Sequence, residues 1–499
     1  MKLNYKRTIL VGFAFFLISA FWQAYDAIVP LILTNHYGLA QSISGAVMSL
    51  DNVLAVFMLP IFGALSDKIM TRFGKRTPFI VIGTVAAVLA FFFLVLVDNY
   101  QLSQLAETGL VERYNDLKAL ETAAKEALAD AKAAKDSAAI ALHEAEILAL
   151  APRFEAITEE ASRYTLDNLG GVIGFIGMLL VLLISMATFR SPAVALMPDV
   201  TVKPLRSKGN AIINLMGAAG GILVLVLGMI FKTSANLYMK YTLYVACVIG
   251  IMLLGLVIFI LTVKERKWAE EMESDTKRLG LEETAQEEPT ESGKKLSRPE
   301  LISLALILAS VALWYVGYNS ITSKYSVYAT TVLGFDYNST LIIAQAAAII
   351  SYIPVGIVSS KFGRRKTILA GITMLATAFL LGNFITPTVS SVIMYPIFAL
   401  AGIGWATINV NSFPMVVELA KGGDVGKYTG YYYTASMAAQ IVAPILSGFL
   451  YDAFGMRLMF FSFGTLFVAL SFITMFFVKH GDAKPEKTGA LESLGGADD

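Results

Sequence analysis

Three of the four tryptophans in this chain, Trp22, Trp314 and Trp405, lie near the middle of long apolar segments. In membrane proteins tryptophan collects at the two interfaces with water, so rings at mid-segment are suited to stacking on a ligand. Sugars present apolar C–H faces and a rim of hydroxyls, which aromatic rings and amides can bind together. Residues of these kinds lie next to the rings, namely Gln23, Tyr25, Tyr315, Tyr318, Asn319, Asn409 and Asn411. We expect the set to bind a small molecule, although helix packing could account for any single member.

Two acidic residues, Asp26 and Asp51, interrupt the first two apolar segments. With a rise of about 1.5 Å per residue, both lie at similar depth in the outer half of a membrane helix. A carboxylate buried in this way favours its proton-bound form, so it can take up a proton on one side of a membrane and release it on the other. We therefore expect Asp26 and Asp51 to couple transport to protons, with a hydrogen-bonded structural acid as the alternative.

Arg190 is the only arginine inside an apolar segment, close to the inner end of the fourth one. Its forked donors can bind sugar hydroxyls, neutralise a carboxylate or anchor a helix. We include Arg190 among the expected substrate-binding residues and leave these three roles open.

The composition excludes an ordinary soluble enzyme. Of 499 residues, 56% are hydrophobic and 15% are charged, against about a quarter charged in soluble proteins. A net charge of +1 argues against a nucleic-acid partner. The single cysteine, Cys247, can form no internal disulfide, and the histidines are scattered. We expect no catalytic residue, no metal site and no cofactor.

Twelve apolar runs predict an all-α membrane protein, because each is close to the roughly 20 residues that a membrane helix needs. The predicted spans are 8–33, 41–66, 77–97, 171–197, 209–232, 241–263, 301–325, 338–359, 367–386, 390–417, 428–450 and 457–478. Lysine and arginine concentrate before the first run and after the second, fourth and eighth. The positive-inside rule then places both termini in the cytoplasm, and we predict a multi-pass protein of the cell (inner) membrane.

Three polar segments accompany the runs. Residues 100–168 carry seven Lys/Arg and thirteen Asp/Glu and should lie outside the cell. There we predict one long helix from Glu112 to about Leu150, ended by Pro152, with a shorter helix behind it. A hairpin over the external mouth is the simpler interpretation, and docking of an extracellular partner or capture of ligand is the alternative. Residues 264–300 form a cytoplasmic linker between six-helix bundles 1–263 and 301–478, and residues 479–499 form a disordered cytoplasmic tail.

The two predicted bundles repeat each other at a shift of 293 residues. This shift places Phe21 and Asp26 on Trp314 and Asn319, and Gly63 on Gly356. The loops after spans 2 and 8 and the ends of spans 4 and 10 also correspond. A parallel repeat of two six-helix halves around a central cavity is typical of transporters that rock between two states.

The loop after span 2, LSDKIMTRFGKRTPFIVIG, resembles the signature of the major facilitator superfamily, Gly-x-x-x-Asp-[Lys/Arg] followed by Gly-[Lys/Arg]-[Lys/Arg]. Its longer form resembles the sucrose and maltose proton symporters and, more loosely, the glycoside-pentoside-hexuronide cation symporters. The resemblance implies the major facilitator fold and cation-driven sugar transport. The cation-binding carboxylates of the latter family fall on Ala55 and Leu59 here, which argues against sodium. The sucrose carriers have an arginine where this chain has Val194, one helical turn beyond Arg190.

Charged residues at the inner ends of the helices are expected to form a gate. Ion pairs between helices would hold the inner side shut in one state and separate in the other, since a bistable pair biases two states by a few kcal/mol. The alternative is a signal for topology alone. The expected gating residues are Asp67, Arg72, Lys75, Arg76, Asp199, Arg364, Arg365 and Glu418.

Together these features predict a secondary active transporter that imports a glucoside or a disaccharide, such as sucrose or maltose, with a proton by alternating access. Its partners would be the sugar, the proton and the lipid bilayer. The alternatives within transport are a sugar facilitator and a proton-coupled antiporter of organic compounds. A non-transporting sensor or scaffold on a carrier fold is the alternative from another class.

Overall fold

The computed structural model describes residues 3–279, 296–419 and 425–480, and within these ranges the regular secondary structure is helical, with one isolated bridge between Thr71 and Gly74. Two π-helical turns occur, Ile32–His36 directly after the first helix and Tyr328–Leu333 after the twelfth. The α-helices are α1 (Tyr5–Leu31), α2 (Gln41–Met48), α3 (Leu50–Lys68), α4 (Thr77–Glu107), α5 (Leu110–Ala134), α6 (Ser137–Asp167), α7 (Leu169–Asp199), α8 (Arg206–Ile230), α9 (Thr242–Thr262), α10 (Glu265–Arg278), α11 (Arg298–Thr322), α12 (Tyr325–Val327), α13 (Tyr337–Phe362), α14 (Arg364–Gly382), α15 (Met394–Val417), α16 (Val425–Phe454) and α17 (Met456–Phe476).

Among the described residues, twelve helical segments are long and apolar enough to cross a membrane. They are α1, α2 with α3, α4, α7, α8, α9, α11 and α13 to α17, which confirms the predicted all-α membrane fold and the number of spans. The third span continues to Glu107, about ten residues past its predicted end, because nothing in the sequence before Gly109 breaks the helix.

The helices form two groups that meet at a central cavity. In the first group α1 packs on α8 and α9, and α4 packs on α7; in the second α11 packs on α16 and α17, and α14 on α15. Across the boundary, α2 packs on α16 and α8 packs on α13. We call the end of the bundle that carries α5 and α6 the insert end and the end that carries Asn4 and His480 the terminal end.

The segment between the third and fourth spans is a helical hairpin of α5 and α6, not the single helix predicted up to Leu150. The break falls at Lys135, whose φ of 58° is left-handed, and at Asp136, whose carboxylate accepts from the backbone N–H groups of Ala138 and Ala139. Pro152 lies inside α6 and does not end it. The Asp-Ser pair that starts α6 is a helix-capping signal, and it fixes the position of the turn.

The base of the hairpin belongs to the first group of helices, and its tip reaches the second. A small apolar core around Leu105, Tyr114 and Ile157 joins α4, α5 and α6 to Tyr238 of the α8–α9 connection. Near the tip, Lys132 donates to the carbonyl oxygen of Thr388 at 2.6 Å. The hairpin therefore crosses the insert end from one group to the other.

Glu265, the first residue of α10, fixes the loop between α3 and α4 at the terminal end. Its carboxylate accepts from the backbone N–H groups of Lys75, Arg76 and Thr77 at 2.6 to 2.8 Å and from the Thr77 hydroxyl at 2.7 Å. A carboxylate at the beginning of a helix also stabilises the helix dipole. One side chain thus positions the whole start of α4.

We predict that Glu265→Gln lowers the free energy of unfolding by about 2 kcal/mol, because hydrogen bonds to a charged group contribute about 1.5–3 kcal/mol and the new amide N–H faces other donors. Thermal unfolding of the purified protein measures the change. Glu270→Gln, which removes only an exposed pair with Arg266, is the matched control. Equal unfolding temperatures for the two variants would contradict the prediction.

Candidate functional site

A cavity of about 690 Å³ lies between the two groups of helices. Its volume is within the range of about 300–1,000 Å³ that is usual for small-molecule sites. Side chains from α1, α7 and α8 line one side and side chains from α11, α13 and α15 line the other. Of the residues predicted to bind substrate or protons, it is lined by Trp22, Gln23, Asp26, Arg190, Tyr318 and Trp405.

Two aromatic platforms face each other across the cavity, one from each group. Trp405 and Tyr318 stack in parallel, with ring centroids 3.7 Å apart and planes 6° apart. Opposite, Trp22 lies under the guanidinium of Arg190, whose Cζ is 5.6 Å from the ring centroid. The indole N–H of Trp22 is buried and has no hydrogen-bond partner. The site thus presents ring faces and a donor that is available to a ligand.

A pair of amides joins the two sides of the cavity. The Gln345 side chain donates to the Gln23 amide oxygen at 2.6 Å, while the other oxygen of the pair, that of Gln345, is buried without a partner. Gln345 was not among the residues predicted from the sequence. The signal was present, because Gln345 is the one amide within the apolar run LIIAQAAAII of α13, and a buried amide in a membrane helix requires a partner.

Trp314, which was predicted to bind substrate, does not line the cavity. It is fully buried in the apolar core and is not among the cavity residues. The internal repeat explains this position, since Trp314 corresponds to Phe21, which is also fully buried, and not to its neighbour Trp22. One residue rotates a side chain by about 100° around a helix, which turns the ring from the cavity to the core.

The remaining aromatic and amide candidates lie behind the cavity wall. Tyr25 is fully buried beside Phe21 and Trp22, and Tyr315 packs edge-on against Trp405 at 5.3 Å. Asn319 donates to the Tyr315 carbonyl, and Asn411 donates to Thr407 and accepts from Ser359. Asn409 is not among the cavity residues. These contacts position the platforms and join helices, as the packing alternative expects.

Asp26, Asp51 and Arg190 form one electrostatic cluster. Asp26 lines the cavity, whereas Asp51 lies behind it and accepts from the Asn52 side chain at 2.8 Å. The two carboxylates repel each other, and Arg190 attracts Asp51. Arg190 thus balances the charge of Asp51, and the net charge of the cluster depends on whether Asp26 carries a proton.

Most of the predicted gating residues lie at the terminal end, where they join helices of the same group. Arg76 bonds to Asp67 and Ser66 of α3 and to Asp199 of α7, the last at 2.7 Å. Arg364 pairs with Glu418. Arg72 packs on the Phe73 ring, the Lys75 backbone binds Glu265, and Arg365 donates to the carbonyl oxygens of Met475 and Phe476.

At the insert end the two groups are held together by direct hydrogen bonds. The carboxylate of Asp452 on α16 accepts from the backbone N–H groups of Gln41 and Ser42, at 2.7 and 2.8 Å, and so caps α2 of the other group. Lys324 donates to the Ser44 hydroxyl. Thr233 bonds to Tyr337 at 2.7 Å. The insert end is therefore closed.

Lys324 makes this closure dependent on pH. Burial lowers its pKa to about 7, while Asp452 acts in the opposite direction; an exposed lysine has a pKa near 10.4. Opening the insert end would expose Lys324 and take up a proton between about pH 7 and pH 10. Lowering the pH through this range should therefore favour the open state by up to about tenfold per unit, with no further effect below about pH 7.

The prediction can be measured with spin labels at Ser103 and Ser390, which are exposed on opposite groups. We expect the short inter-label distance to become less populated as the pH falls from 9 to 7. Lys324→Met, which cannot titrate, should no longer lose the short distance as the pH falls. A dependence that persists unchanged in Lys324→Met would show that another group causes it.

The fold is shared with solved transporters of low sequence identity. The inward-open xylose transporter XylE from E. coli aligns with a TM-score of 0.61 at 14% identity, over 98% of this chain and 99% of that one. A POT family transporter in complex with 5-aminolevulinic acid aligns with a TM-score of 0.61 at 10% identity, over 95% of this chain and 96% of that one. A point mutant of the nucleoside transporter NupG aligns with a TM-score of 0.52 at 14% identity, over 94% of this chain and 99% of that one. No curated protein sequence matches significantly.

Family models cover most of the chain. Residues 10–110 match the model described as MFS/sugar transport protein. Residues 167–435 and 339–495 match the model of the Major Facilitator Superfamily. Since these two matches span well over half of the sequence, the chain belongs to the Major Facilitator Superfamily, whose members are multi-pass membrane transporters and not enzymes.

Proposed function

We propose that this protein is a secondary active transporter that imports a glucoside or a disaccharide, of the sucrose or maltose kind, together with a proton. The observation that carries the proposal is the cavity between the two groups of helices, where ring platforms, a cross-group amide pair, Asp26 and Arg190 meet. The MFS/sugar transport family match and the fold shared with a D-xylose-proton symporter support a sugar as substrate.

The chemistry of the cavity favours a sugar over a purely apolar compound. Trp405 with Tyr318 offers one flat face and Trp22 offers another, and C–H faces of a sugar ring pack on such surfaces. Between them, Gln23 and Gln345 present groups that donate and accept. Hydroxyls of a bound sugar can replace the Gln23–Gln345 bond, which would couple binding to the approach of the two groups.

Asp26 and Arg190 supply the coupling chemistry in this proposal. A protonated Asp26 leaves the Arg190–Asp51 attraction undisturbed, while an ionised Asp26 adds a second negative charge to the cluster. The cluster then has a different charge in its loaded and unloaded forms. A charge difference that the two conformations stabilise unequally is sufficient to bias a two-state equilibrium.

The closed insert end supports a mechanism of alternating access. We place the insert end outside the cell and both termini in the cytoplasm, at the cell (inner) membrane, on the positive-inside rule, so that the described state is closed to the outside. Bundles 1–263 and 301–478 would rock about the cavity, with residues 264–300 as the linker. Part of that linker and nearly all of the tail 479–499 lie outside the described residues.

The decisive experiment is uptake by proteoliposomes of a panel of labelled sugars, with and without an inward proton gradient. We expect accumulation of one or more glucosides or disaccharides that requires the gradient. Equilibration that is indifferent to the gradient would identify a facilitator. Transport of none of the sugars, together with proton-driven export of an amphipathic organic compound, would identify an antiporter.

The Trp405 platform can be tested by affinity. We predict that Trp405→Leu weakens sugar binding about tenfold, since the loss of a stacked ring together with its buried area costs about 1.5 kcal/mol. Trp314→Phe, in the core behind the site, is the control and should bind as the wild type does. Titration calorimetry measures the sugar affinity of both purified variants. If the two variants bind sugar equally weakly, Trp405 does not belong to the binding site.

A further inference from the structure

A second pair of buried ionisable groups lies near the insert end, away from the central cavity. His36 follows α1 in the π-helical turn, and Asp98 lies on α4; both side chains are completely buried. The His36 Nδ1 atom is 2.6 Å from Asp98 Oδ1. Its Nε2 atom is 2.8 Å from the carbonyl oxygen of Leu237, in the connection between α8 and α9. Neither residue lines the cavity.

These two contacts fix the number of protons. A backbone carbonyl oxygen can only accept, so His36 Nε2 must carry a hydrogen. At 2.6 Å, Nδ1 and Oδ1 must share another hydrogen, because two lone pairs would otherwise face each other at hydrogen-bond distance. Three sites on the pair, Nε2, Nδ1 and Oδ1, therefore hold two hydrogens, one more than a neutral imidazole beside a carboxylate would hold.

The surroundings favour placing this additional proton on the ring. Tyr238 and Tyr241 lie against the imidazole, with centroids 6.0 and 5.8 Å away and planes within 24° of it. Aromatic faces attract a cation, and the Asp98 carboxylate balances its charge. The other groups that face the pair are polar but uncharged: Gln101, which donates to the His36 carbonyl and to Thr165 of α6, and Tyr37, which interacts with Asp98. Beyond them, the carboxylate of Glu160 on α6 acts on Tyr238.

We infer that His36 and Asp98 form a second proton-binding site, separate from the transport cavity, that holds one proton while the insert end is closed. Its ligand is the proton itself. This inference does not depend on the proposed substrate or on coupling through Asp26, since it rests on the contacts of the pair alone.

The site is connected to the closure of the insert end through residues 231–241. This connection contributes the Leu237 carbonyl to His36 and the Thr233 hydroxyl to Tyr337 and Asn338 of the other group. Ser234 of the same connection donates to Asp336. Separation of the two groups would move the connection, and with it the acceptor that fixes Nε2–H. By linkage, a proton that binds better to the closed form stabilises that form.

The chain has only three histidines, which makes a direct test possible. In the full-length variant His143→Gln/His480→Gln, ¹⁵N-labelled His36 is the only imidazole, and NMR in lipid nanodiscs at neutral pH reports hydrogen on each ring nitrogen. We expect both nitrogens to be protonated. A ring with hydrogen on Nε2 alone, together with an Asp98 that shows no carboxylic-acid band in the infrared spectrum, would overturn the inference.

Asp98→Asn in the same background is the matched variant. An asparagine amide can donate to Nδ1, so the ring is expected to lose one hydrogen and keep only that on Nε2. A ring that stays doubly protonated in Asp98→Asn would show that the proton does not depend on the pair and would equally overturn the inference. If Asp98→Asn does not fold, the spectrum of the parent variant decides the question by itself.

Discussion

Asp26→Asn is expected to abolish sugar accumulation against a gradient while leaving sugar exchange intact. With one proton per sugar, a pH difference of one unit supports about tenfold accumulation, since one unit corresponds to about 1.36 kcal/mol. The variant should reach an accumulation ratio of about one, because an asparagine is neutral in both conformations. The cluster around Arg190 then no longer changes its charge, whereas the cavity keeps its shape.

Two assays on the same proteoliposomes separate these effects. Uptake driven by an inward proton gradient should be lost in Asp26→Asn, and counterflow, which needs no net proton movement, should continue at a rate similar to that of the wild type. Glu270→Gln, which removes an exposed carboxylate at the terminal end, controls for charge removal and should keep its accumulation. Gradient-driven accumulation by Asp26→Asn would refute coupling through this residue.

Gly45→Leu is expected to stop transport by preventing closure of the insert end. Gly45 of α2 packs so closely on α16 that a Cβ atom would overlap the carbonyl oxygen of Pro444. That oxygen belongs to the backbone and cannot rotate away, so any side chain pushes the two groups apart. Since transport requires both ends to close in turn, we expect the transport rate to fall at least about tenfold, which corresponds to about 1.4 kcal/mol.

The state of Gly45→Leu can be read by accessibility. In a Cys247→Ser background, a cysteine at Ala348 lies in the cavity; a membrane-impermeant thiol reagent applied from the insert end should label it faster in Gly45→Leu than in the parent. Gly177→Leu is the matched control, because nothing lies within 4 Å of a Cβ atom at Gly177. Normal transport by Gly45→Leu would show that α2 and α16 need not meet.

The fold could be predicted because a membrane helix leaves a strong signal, a long apolar run between charged loops. The number of spans and the all-α class came from these runs alone. The position of the hairpin turn at Asp136 was missed because Ala, Leu, Glu and Lys favour helix on both sides of it. This strong helix propensity concealed the capping signal of the Asp-Ser pair. The helix-ending effect of Pro152 was overestimated, since a proline can remain within a helix that packing stabilises.

The site was predicted only in part, because a run that is apolar on all sides does not reveal which face points inward. Trp22 and Trp314 have the same depth, yet the first lines the cavity and the second lies in the core. The internal repeat contained the answer, as it aligned Trp314 with Phe21. His36 and Gln345 were passed over because their partners, Asp98 and Gln23, lie 62 and 322 residues away.

The hairpin of α5 and α6 has a mechanical consequence. Its base moves with the first group of helices, while its tip rests on Thr388 of the second through Lys132. With 31 residues in α6, the arm is about 46 Å long at 1.5 Å per residue. A rotation of the first group by about 10° would carry the tip through roughly 8 Å at that length. The hairpin thus amplifies a small rotation of the first group of helices within the bilayer. The resulting displacement of its tip can be measured with a label outside the bilayer.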